Sequence, residues 1–241
     1  MNKNVLLAIV LTIGVLGLGS VNAQINLLHT FEYDDDGNTP SANGMKDISR
    51  DDMDFSGYIY WNKIYNEDFS LRKTIDIPAA PSGYVYGNSN LRYVSKKLFN
   101  QDDKLEFLIS FRGNNNDIFG VYNEDGILLK EFTGNDYSIR LTPKGEYRLT
   151  ISNEYGGTQE IYSLPGKLSV ASSVTKKATE LAYKLRPGET ATMKIYDAKG
   201  RLIDTKQVDY VFNKILLNTT NYSRGVYVYE INGLAKKFTV K

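Results

Sequence analysis

The sequence predicts an all-β protein, on three observations. Aromatic and β-branched residues, which favour strands over helices, occur along the whole chain, with 18 tyrosines and 10 phenylalanines among 241 residues. Apolar and polar residues alternate with a period of two, as in Tyr147–Ile151 and Tyr227–Ile231. Turn-forming residues such as Pro143-Lys144-Gly145 and Lys199-Gly200 separate these runs. Short, evenly spaced strands of this kind are typical of sandwiches and small barrels.

The composition excludes several classes of function. The chain has no cysteine, which rules out disulfides, cysteine-ligated zinc and cysteine nucleophiles, and His29 is its single histidine. The 29 Lys and Arg residues nearly balance the 28 Asp and Glu residues, for a net charge of +1. Nucleic-acid binding usually needs a basic stripe that neutralises phosphates. We therefore expect no nucleic-acid partner, no cofactor and no enzymatic activity.

The first 23 residues have the pattern of a signal peptide. Lys3 precedes an apolar run from Val5 to Leu18, and Val21-Asn22-Ala23 provides the residues before a cleavage site. The run is shorter than the roughly 20 residues that span a bilayer. Cleavage after Ala23 leaves 218 residues (241 minus 23) and, without Lys3, 28 basic and 28 acidic residues. We therefore expect export across the inner membrane, and no membrane span in the mature chain.

Residues 24–166 are expected to form one all-β domain, a β-sandwich or small open barrel of about ten strands. Within it, Ile64-Tyr65-Asn66-Glu67-Asp68 has a counterpart 57 residues later in Val121-Tyr122-Asn123-Glu124-Asp125, and a returning strand follows each segment. A duplicated hairpin explains the match. The general preference of exposed hairpins for Asn, Asp and Gly in their turns explains it equally well.

A domain boundary is predicted at residues 166/167, after Leu164-Pro165-Gly166 and before the small, polar segment 169–175. The remaining residues have the size and rhythm of a small immunoglobulin-like sandwich of six or seven strands. The strands are predicted at Glu180–Leu185, Ala191–Asp197, Leu202–Val208, Asn213–Asn218, Gly225–Ile231 and Ala235–Val240.

Three motifs in this region carry a family resemblance. They are Met193–Ile203, the segment from Leu216-Leu217-Asn218 to Ser223–Tyr229, and Lys236–Lys241 at the end of the sequence. In this order they resemble the type A C-terminal sorting domain of the type IX secretion system of Bacteroidetes-type bacteria, over about residues 168–241. The resemblance implies an immunoglobulin-like fold, translocon components as partners, and delivery to the cell surface or the extracellular space. A protein whose sorting is inactive would remain in the periplasm.

The residues that match these motifs also have direct physical interpretations. Asp197 and Gly200 favour a tight hairpin, because Asp bonds the backbone ahead of it and Gly tolerates positive φ. The terminal lysines are either receptor-facing charges or charges that protect an edge strand from pairing, and the resemblance favours the first interpretation. The matching residues are Ile195, Tyr196, Asp197, Gly200, Gly225, Tyr227, Lys236, Lys237 and Lys241.

Acidic residues in the N-terminal region do not specify a site. Asp34–Asn38 and Asp51–Asp54 concentrate oxygen ligands, but Thr39 and Met45 occupy the positions where an EF-hand needs glycine and glutamate. Solvated loop charge is the default interpretation, and a calcium site is the alternative. Asp102, Asp103 and Glu106 provide carboxylates for a glycosidase, although adjacency does not establish the required separation of roughly 5 to 10 Å.

The strongest candidates for ligand binding are Tyr58, Tyr60 and Trp61, with Phe55 and Tyr65 close by. Aromatic rings on a sheet surface can stack on the apolar faces of sugars. Tyr58 and Tyr60 share one face of a strand and Trp61 points to the other, so we expect at least one set to pack in the core.

Taken together, these patterns predict an exported, non-enzymatic cell-surface or secreted protein. Its N-terminal domain is predicted to be an adhesion or structural module that contacts a surface glycan or a host protein. One alternative is a carbohydrate-binding module that uses Trp61, Tyr58 and Tyr60, and a second is a small carboxylate-dependent glycosidase.

Overall fold

The computed structural model describes residues 25–33, 45–48, 53–87, 91–154, 156–166, 168 and 178–241. These residues form nineteen β-strands and no helix, which confirms the all-β prediction. Accordingly, no helix in the described ranges has the length and apolarity to cross a membrane. The predicted signal peptide, the predicted linker 169–175, and the acidic residues Asp34–Asp36, Asp51 and Asp52 lie outside the described residues.

Thirteen strands precede residue 166. They are β1 (Asn26–Glu32), β2 (Lys46–Asp47), β3 (Gly57–Tyr60), β4 (Lys63–Asn66), β5 (Leu71–Thr74), β6 (Val85–Tyr86), β7 (Arg92–Ser95), β8 (Glu106–Arg112), β9 (Asp117–Asn123), β10 (Leu128–Gly134), β11 (Asp136–Leu141), β12 (Tyr147–Asn153) and β13 (Thr158–Leu164).

Six strands follow. They are β14 (Ala178–Ala182), β15 (Thr190–Tyr196), β16 (Leu202–Asp209), β17 (Lys214–Asn218), β18 (Gly225–Ile231) and β19 (Leu234–Val240).

Two five-stranded antiparallel sheets form the centre of the N-terminal domain. One has the order β1-β13-β12-β11-β2, and the other has the order β10-β9-β8-β6, with β7 also paired to β8. Leu149 and Ile151 of the first sheet share a core with Leu108, Phe119 and Val121 of the second. The two sheets therefore pack face to face as a sandwich.

A third layer covers the other face of the second sheet. Strand β8 is buried from Glu106 to Phe111, and its side chains alternate between two cores. Leu108 faces the sandwich core, whereas Phe107 and Ile109 pack with Ile64 of the small sheet β3-β4-β5. In its described residues the domain thus has three layers and thirteen strands, rather than the expected sandwich or small barrel of about ten, because β8 is apolar on both faces.

The two segments of the internal repeat form the hairpins β4–β5 and β9–β10. In each turn the leading Asn amide bonds the chain four residues ahead, to Ser70 in the first hairpin and to Ile127 in the second. Phe69 and Gly126, three residues after their Asn, both adopt positive φ, at 66° and 76°. This common geometry is compatible with a duplication and equally with shared turn chemistry.

The two hairpins also lie side by side. Arg72 of β5 donates to Glu124 at 3.0 Å, and Lys73 pairs with Asp125. The turn of the second hairpin is therefore tied to a strand of the first.

The C-terminal domain is a small sandwich of two sheets, β16-β15-β18-β19 and β14-β17, with a single core. Met193 and Ile195 of β15, Leu181 of β14 and Ile215 of β17 are fully buried in it. Six or seven strands were predicted here, and the described residues form six, close to the six predicted ranges. Strands β15 and β18 show the alternating burial that the period-two pattern predicts.

Candidate functional site

The hairpin β3–β4 carries the three aromatic residues that the sequence singles out. The side chains of Tyr58, Tyr60 and Trp61 are 42%, 46% and 56% exposed, whereas that of Tyr65 is fully buried. The expectation that one set of these aromatics packs in the core is therefore wrong for Tyr58, Tyr60 and Trp61. The reason is that their sheet is an outer layer: Ile64 faces the core, whereas the opposite face buries Tyr65 against the C-terminal domain and leaves Tyr58 and Tyr60 partly exposed.

Trp61 occupies an unusual backbone position. It is the first residue of the two-residue loop between Tyr60 and Lys63, and its φ is +56°. Glycine is the residue that such a hairpin position favours, since a side chain there is strained. Strained backbone often accompanies function, and the strain here holds an exposed indole at the end of the hairpin.

The face of this small sheet that carries Tyr58 and Tyr60 also contacts the C-terminal domain, because these residues lie opposite Tyr65 and Lys63. Asp209, the last residue of β16, is buried, and its Oδ2 accepts hydrogen bonds from the Tyr65 hydroxyl at 2.7 Å and the Lys63 ammonium at 2.6 Å. Burial and the neighbouring Asp209 carboxylate raise the pKa of Tyr65. The tyrosine therefore keeps its proton and remains a hydrogen-bond donor.

Aromatic rings surround this polar contact. Phe212, in the turn after β16, stacks on Phe69 with ring centroids 4.8 Å apart, and its ring meets Tyr65 edge-on at 4.9 Å and Tyr58 at 5.9 Å. No sequence motif marks Asp209 or Phe212 as functional. Their partners lie about 140 residues away in the chain, for example 144 residues between Tyr65 and Asp209, and no local pattern joins them.

A cleft of about 590 Å³ opens beside this contact, between the two domains. Two of its acidic groups are bonded to protein neighbours: Asp54 accepts from Ser95 and from the Lys96 amide, and Asp68 pairs with Lys206 at 3.4 Å. The lining residues are Asp54, Phe55, Ser56, Asn66, Glu67, Asp68, Arg72, Lys96, Ala178, Lys206, Leu216 and Asn218.

The three carboxylates proposed for a glycosidase do not share an environment. The side chain of Asp103 is fully exposed, whereas Glu106 has no exposed surface and lies at the start of β8. Burial, with Asp102 and Asp54 close by, raises the pKa of Glu106 to about 8, although amide hydrogen bonds from Asn100 and Phe99 oppose the shift. A buried, protonated Glu106 cannot act on a sugar in solution.

No group of three or more His, Cys, Asp or Glu side chains that could hold a metal ion occurs among the residues that the structure describes. Asp54, the described acidic member of the second acidic segment, bonds to Ser95 and Lys96. The calcium alternative rests on residues outside the described ranges.

In the C-terminal domain, the first sorting motif forms the hairpin turn between β15 and β16. Asp197 accepts hydrogen bonds from the amides of Lys199 and Arg201 and from the Arg201 guanidinium at 2.7 Å. These bonds lower the pKa of Asp197. Gly200 has a φ of 78°, as the turn requires. Ile195, just before the turn, is a core residue, and Tyr196 is half-buried.

The second motif leads into β18, which begins at Gly225. Tyr227 is buried, and its hydroxyl donates to the Ser223 carbonyl at 2.8 Å, four residues upstream. A tyrosine that bonds backbone a few residues before it is a feature of immunoglobulin-type sandwiches. Its ring stacks on Phe238 of β19, so the second and third motifs are packed together.

The third motif forms β19, an edge strand that pairs with β18. Lys236 and Lys237 are exposed, and the ammonium of Lys236 donates to the Ala182 carbonyl at 3.3 Å. Lys241 is exposed at the end of the sequence. The structure thus places the nine motif residues in one domain: four at the hairpin turn β15–β16, and five along the strands β18 and β19 or at their ends.

Comparison with known proteins supports this assignment. Residues 175–241 match the family described as "Secretion system C-terminal sorting domain". No curated protein and no solved structure matches the chain significantly. The family match confirms, for residues 175–241, the resemblance to type IX secretion sorting domains that the sequence motifs carry.

Proposed function

We propose that this chain is an exported, non-enzymatic adhesion module, delivered by its C-terminal sorting domain and binding its ligand through the N-terminal domain. The sorting-domain match supports export to the cell surface or the extracellular space and an interaction with the secretion machinery. A signal peptide that ends at Ala23 and a domain boundary at residues 166/167 belong to the same proposal.

The observation that carries the adhesion role is the exposure of Tyr58, Tyr60 and Trp61 on one hairpin. Solvent-exposed aromatic side chains in a cluster are typical of binding surfaces, because they provide a large contact area with little loss of rotamer entropy. The strained φ of Trp61 supports the same role, since a turn selected for stability alone would favour glycine.

Carbohydrate is the ligand class that this hairpin favours. Tyrosine and tryptophan rings can stack on the C–H faces of a sugar while the Tyr hydroxyl and the indole N–H bond its hydroxyl groups. The glycosidase alternative has less support, because Glu106 is buried and the described acids of the interdomain cleft are paired.

The binding role can be tested on a glycan array and on host-protein arrays with the mature chain. Trp61→Ala and Tyr60→Ala should reduce binding by at least about tenfold, as loss of a central aromatic usually does. Tyr86→Ala is the matched control, since Tyr86 is 47% exposed on a different sheet. The adhesion proposal fails if no arrayed glycan or protein binds in a Trp61-dependent way.

Delivery can be tested separately in the native host. Deletion of residues 170–241 should retain the protein in the periplasm, because this removes every sorting motif while the export signal remains. Cell fractionation and surface labelling provide the measurement. Unchanged surface delivery of the truncated chain would contradict the sorting role.

Strand β19 is the element through which we expect the machinery to recognise the domain. It is an edge strand with exposed backbone, and a partner can bind such an edge by adding a strand of its own. Lys236 and Lys237 lie on this strand and would orient an acidic partner. Exchange of both lysines for Glu should therefore impair delivery without unfolding the domain, which circular dichroism would verify.

A further inference from the structure

The contact between the two domains has the features of a recognition site rather than of a passive junction. We infer that the small sheet β3–β5 is a specific receptor for the turn Asp209-Tyr210-Val211-Phe212, and that it holds the sorting domain non-covalently even when the linker is cut. We call these four residues the docking turn.

The polar part of the contact depends on both domains. Asp209 Oδ1 accepts from the amide of Val211 within its own turn, at 3.0 Å. Its Oδ2 instead accepts from Lys63 and Tyr65, which belong to the N-terminal domain. A buried carboxylate is strongly destabilising unless it is paired and hydrogen-bonded. The N-terminal domain thus supplies the partners that make burial of Asp209 favourable.

The aromatic part shows that the receptor is shaped for this turn. Phe69, on which Phe212 stacks, has a φ of 66°, whereas the equivalent position of the second hairpin is Gly126. Glycine would relieve the strain at this position. The phenylalanine is therefore explained by its contact with Phe212 better than by the needs of the turn.

Further contacts flank the docking turn and define its orientation. The amide of Leu216 in β17 donates to the Asp68 carbonyl at 2.9 Å, and Lys206 in β16 pairs with the Asp68 carboxylate. The ammonium of Lys63 also lies 4.8 Å from the centre of the Tyr210 ring. Because contacts come from β16, β17 and the turn between them, the domain is fixed in rotation as well as in position.

This arrangement leaves the other side of the sorting domain available. Strand β16 forms one edge of the sheet β16-β15-β18-β19, and β19 forms the opposite edge. Three strand spacings of about 4.8 Å separate them. Docking therefore occupies the β16 side without covering the strand that carries the terminal lysines.

The inference can be tested on the full mature chain with a protease site inserted at residues 169–175, the predicted linker. After complete cleavage, the two fragments should co-elute on size exclusion at about 1 μM, as a one-to-one complex with a Kd below that concentration. Separation of the wild-type fragments under these conditions would overturn the inference.

Phe69→Gly is the sharpest variant. The N-terminal domain should stay folded, because Gly126 shows that this turn accepts glycine, yet the Kd should rise at least about tenfold since Phe212 loses its stacking partner. Tyr65→Phe, which removes only the hydroxyl that donates to Asp209, should act in the same direction. Full association of both variants would also contradict the inference.

The controls lie elsewhere in the sorting domain. Glu180→Gln removes an acid that pairs with Lys214 of the same domain, and Phe238→Ala removes a ring that stacks on Tyr227. Provided that circular dichroism shows both to be folded, they should keep the wild-type Kd. A loss of association as large as that of Phe69→Gly would indicate general destabilisation and not specific docking.

Discussion

Among the described residues, four non-glycine residues adopt positive φ: Trp61, Phe69, Tyr93 and Asn232. Asn tolerates this conformation because its side chain bonds locally, whereas an aromatic residue gains no such compensation. Trp61 lies just before β4, at the proposed ligand surface. Phe69 lies just before β5 of the same small sheet, against the docking turn. At both positions a strained backbone presents an aromatic ring for contact.

Trp61→Gly should therefore stabilise the protein while it removes binding. Relief of the positive φ is worth about 1 kcal/mol in the free energy of unfolding, and the indole is 56% exposed, so little packing is lost. Urea denaturation would measure the gain. Tyr60→Gly is the control and should destabilise, since glycine weakens the interior of a strand. A less stable Trp61→Gly variant would show that the indole has a structural role.

Burial of the Glu106 carboxyl group also destabilises the folded state. It has no exposed surface, and its Oε1 lacks a hydrogen-bond partner within the described part of the chain, although Oε2 accepts from the Asn100 amide at 3.2 Å. With a pKa of about 8 in the folded chain against 4.5 for the ordinary group, the folded state binds a proton that the unfolded state has released.

Stability should consequently fall as the pH rises from about 4.5 to 8, by about 1 kcal/mol for each pH unit from this group, and then level off. Glu106→Gln, which is neutral at every pH, should remove this slope and be more stable than the wild type at pH 8. Thermal denaturation across this range provides the measurement. Asp103→Asn, at a fully exposed carboxylate, should leave the slope unchanged, and a Glu106→Gln slope equal to that of the wild type would contradict the assignment.

At the scale of single elements, the alternation of apolar and polar residues predicted the strands well. Strand β12 buries Tyr147, Leu149 and Ile151, as the period-two pattern indicates. Strand β18 likewise buries Tyr227, Tyr229 and Ile231. The turn Asn232-Gly233 was overlooked, although Asn-Gly is the strongest short hairpin signal. In the structure its φ values are 49° and 79°, and it joins Ile231 to Leu234.

Other features of the fold could not be predicted from a local sequence pattern. The apolar run in β8 predicts burial on both faces, but it does not indicate which strands pack against the second face. The exposure of Tyr58 and Tyr60 follows from the position of their sheet at the outside of the domain, and the Tyr65–Asp209 contact joins residues 144 positions apart. Such contacts depend on the packing of whole sheets, so a single sequence does not reveal them.

Strand β8 offers a test of the three-layer arrangement. Phe107→Ala should cost about 3 to 5 kcal/mol and Leu108→Ala about 2 to 5 kcal/mol in unfolding free energy, because each side chain is fully buried in a different core. In a two-layer domain one of the two would face solvent and cost little. Denaturant titration of both variants distinguishes the arrangements, and a cost below about 1 kcal/mol for Phe107→Ala would exclude the third layer.

At the scale of the whole molecule, two domains with separate cores share one polar and aromatic contact. The described N-terminal cores and the C-terminal core have no residue in common, so each domain has its own source of stability. Domains in one chain unfold independently unless their interface is large or specific. The docking turn is specific, because Asp209 loses its Oδ2 partners and Phe212 its ring contacts when the domains separate.

We therefore expect the mature chain to unfold in one calorimetric transition, in which the less stable domain is held folded by the other. Phe212→Ala should uncouple the domains and produce two transitions, since truncation of an aromatic side chain at the centre of an interface commonly costs more than about 1 kcal/mol of interface energy. Phe238→Ala lowers the stability of the sorting domain without touching the interface, so it should shift the single transition and not split it. Two transitions in the wild type would mean that docking contributes too little free energy to couple the domains. A single transition that persists in Phe212→Ala would place the coupling in contacts other than the docking turn.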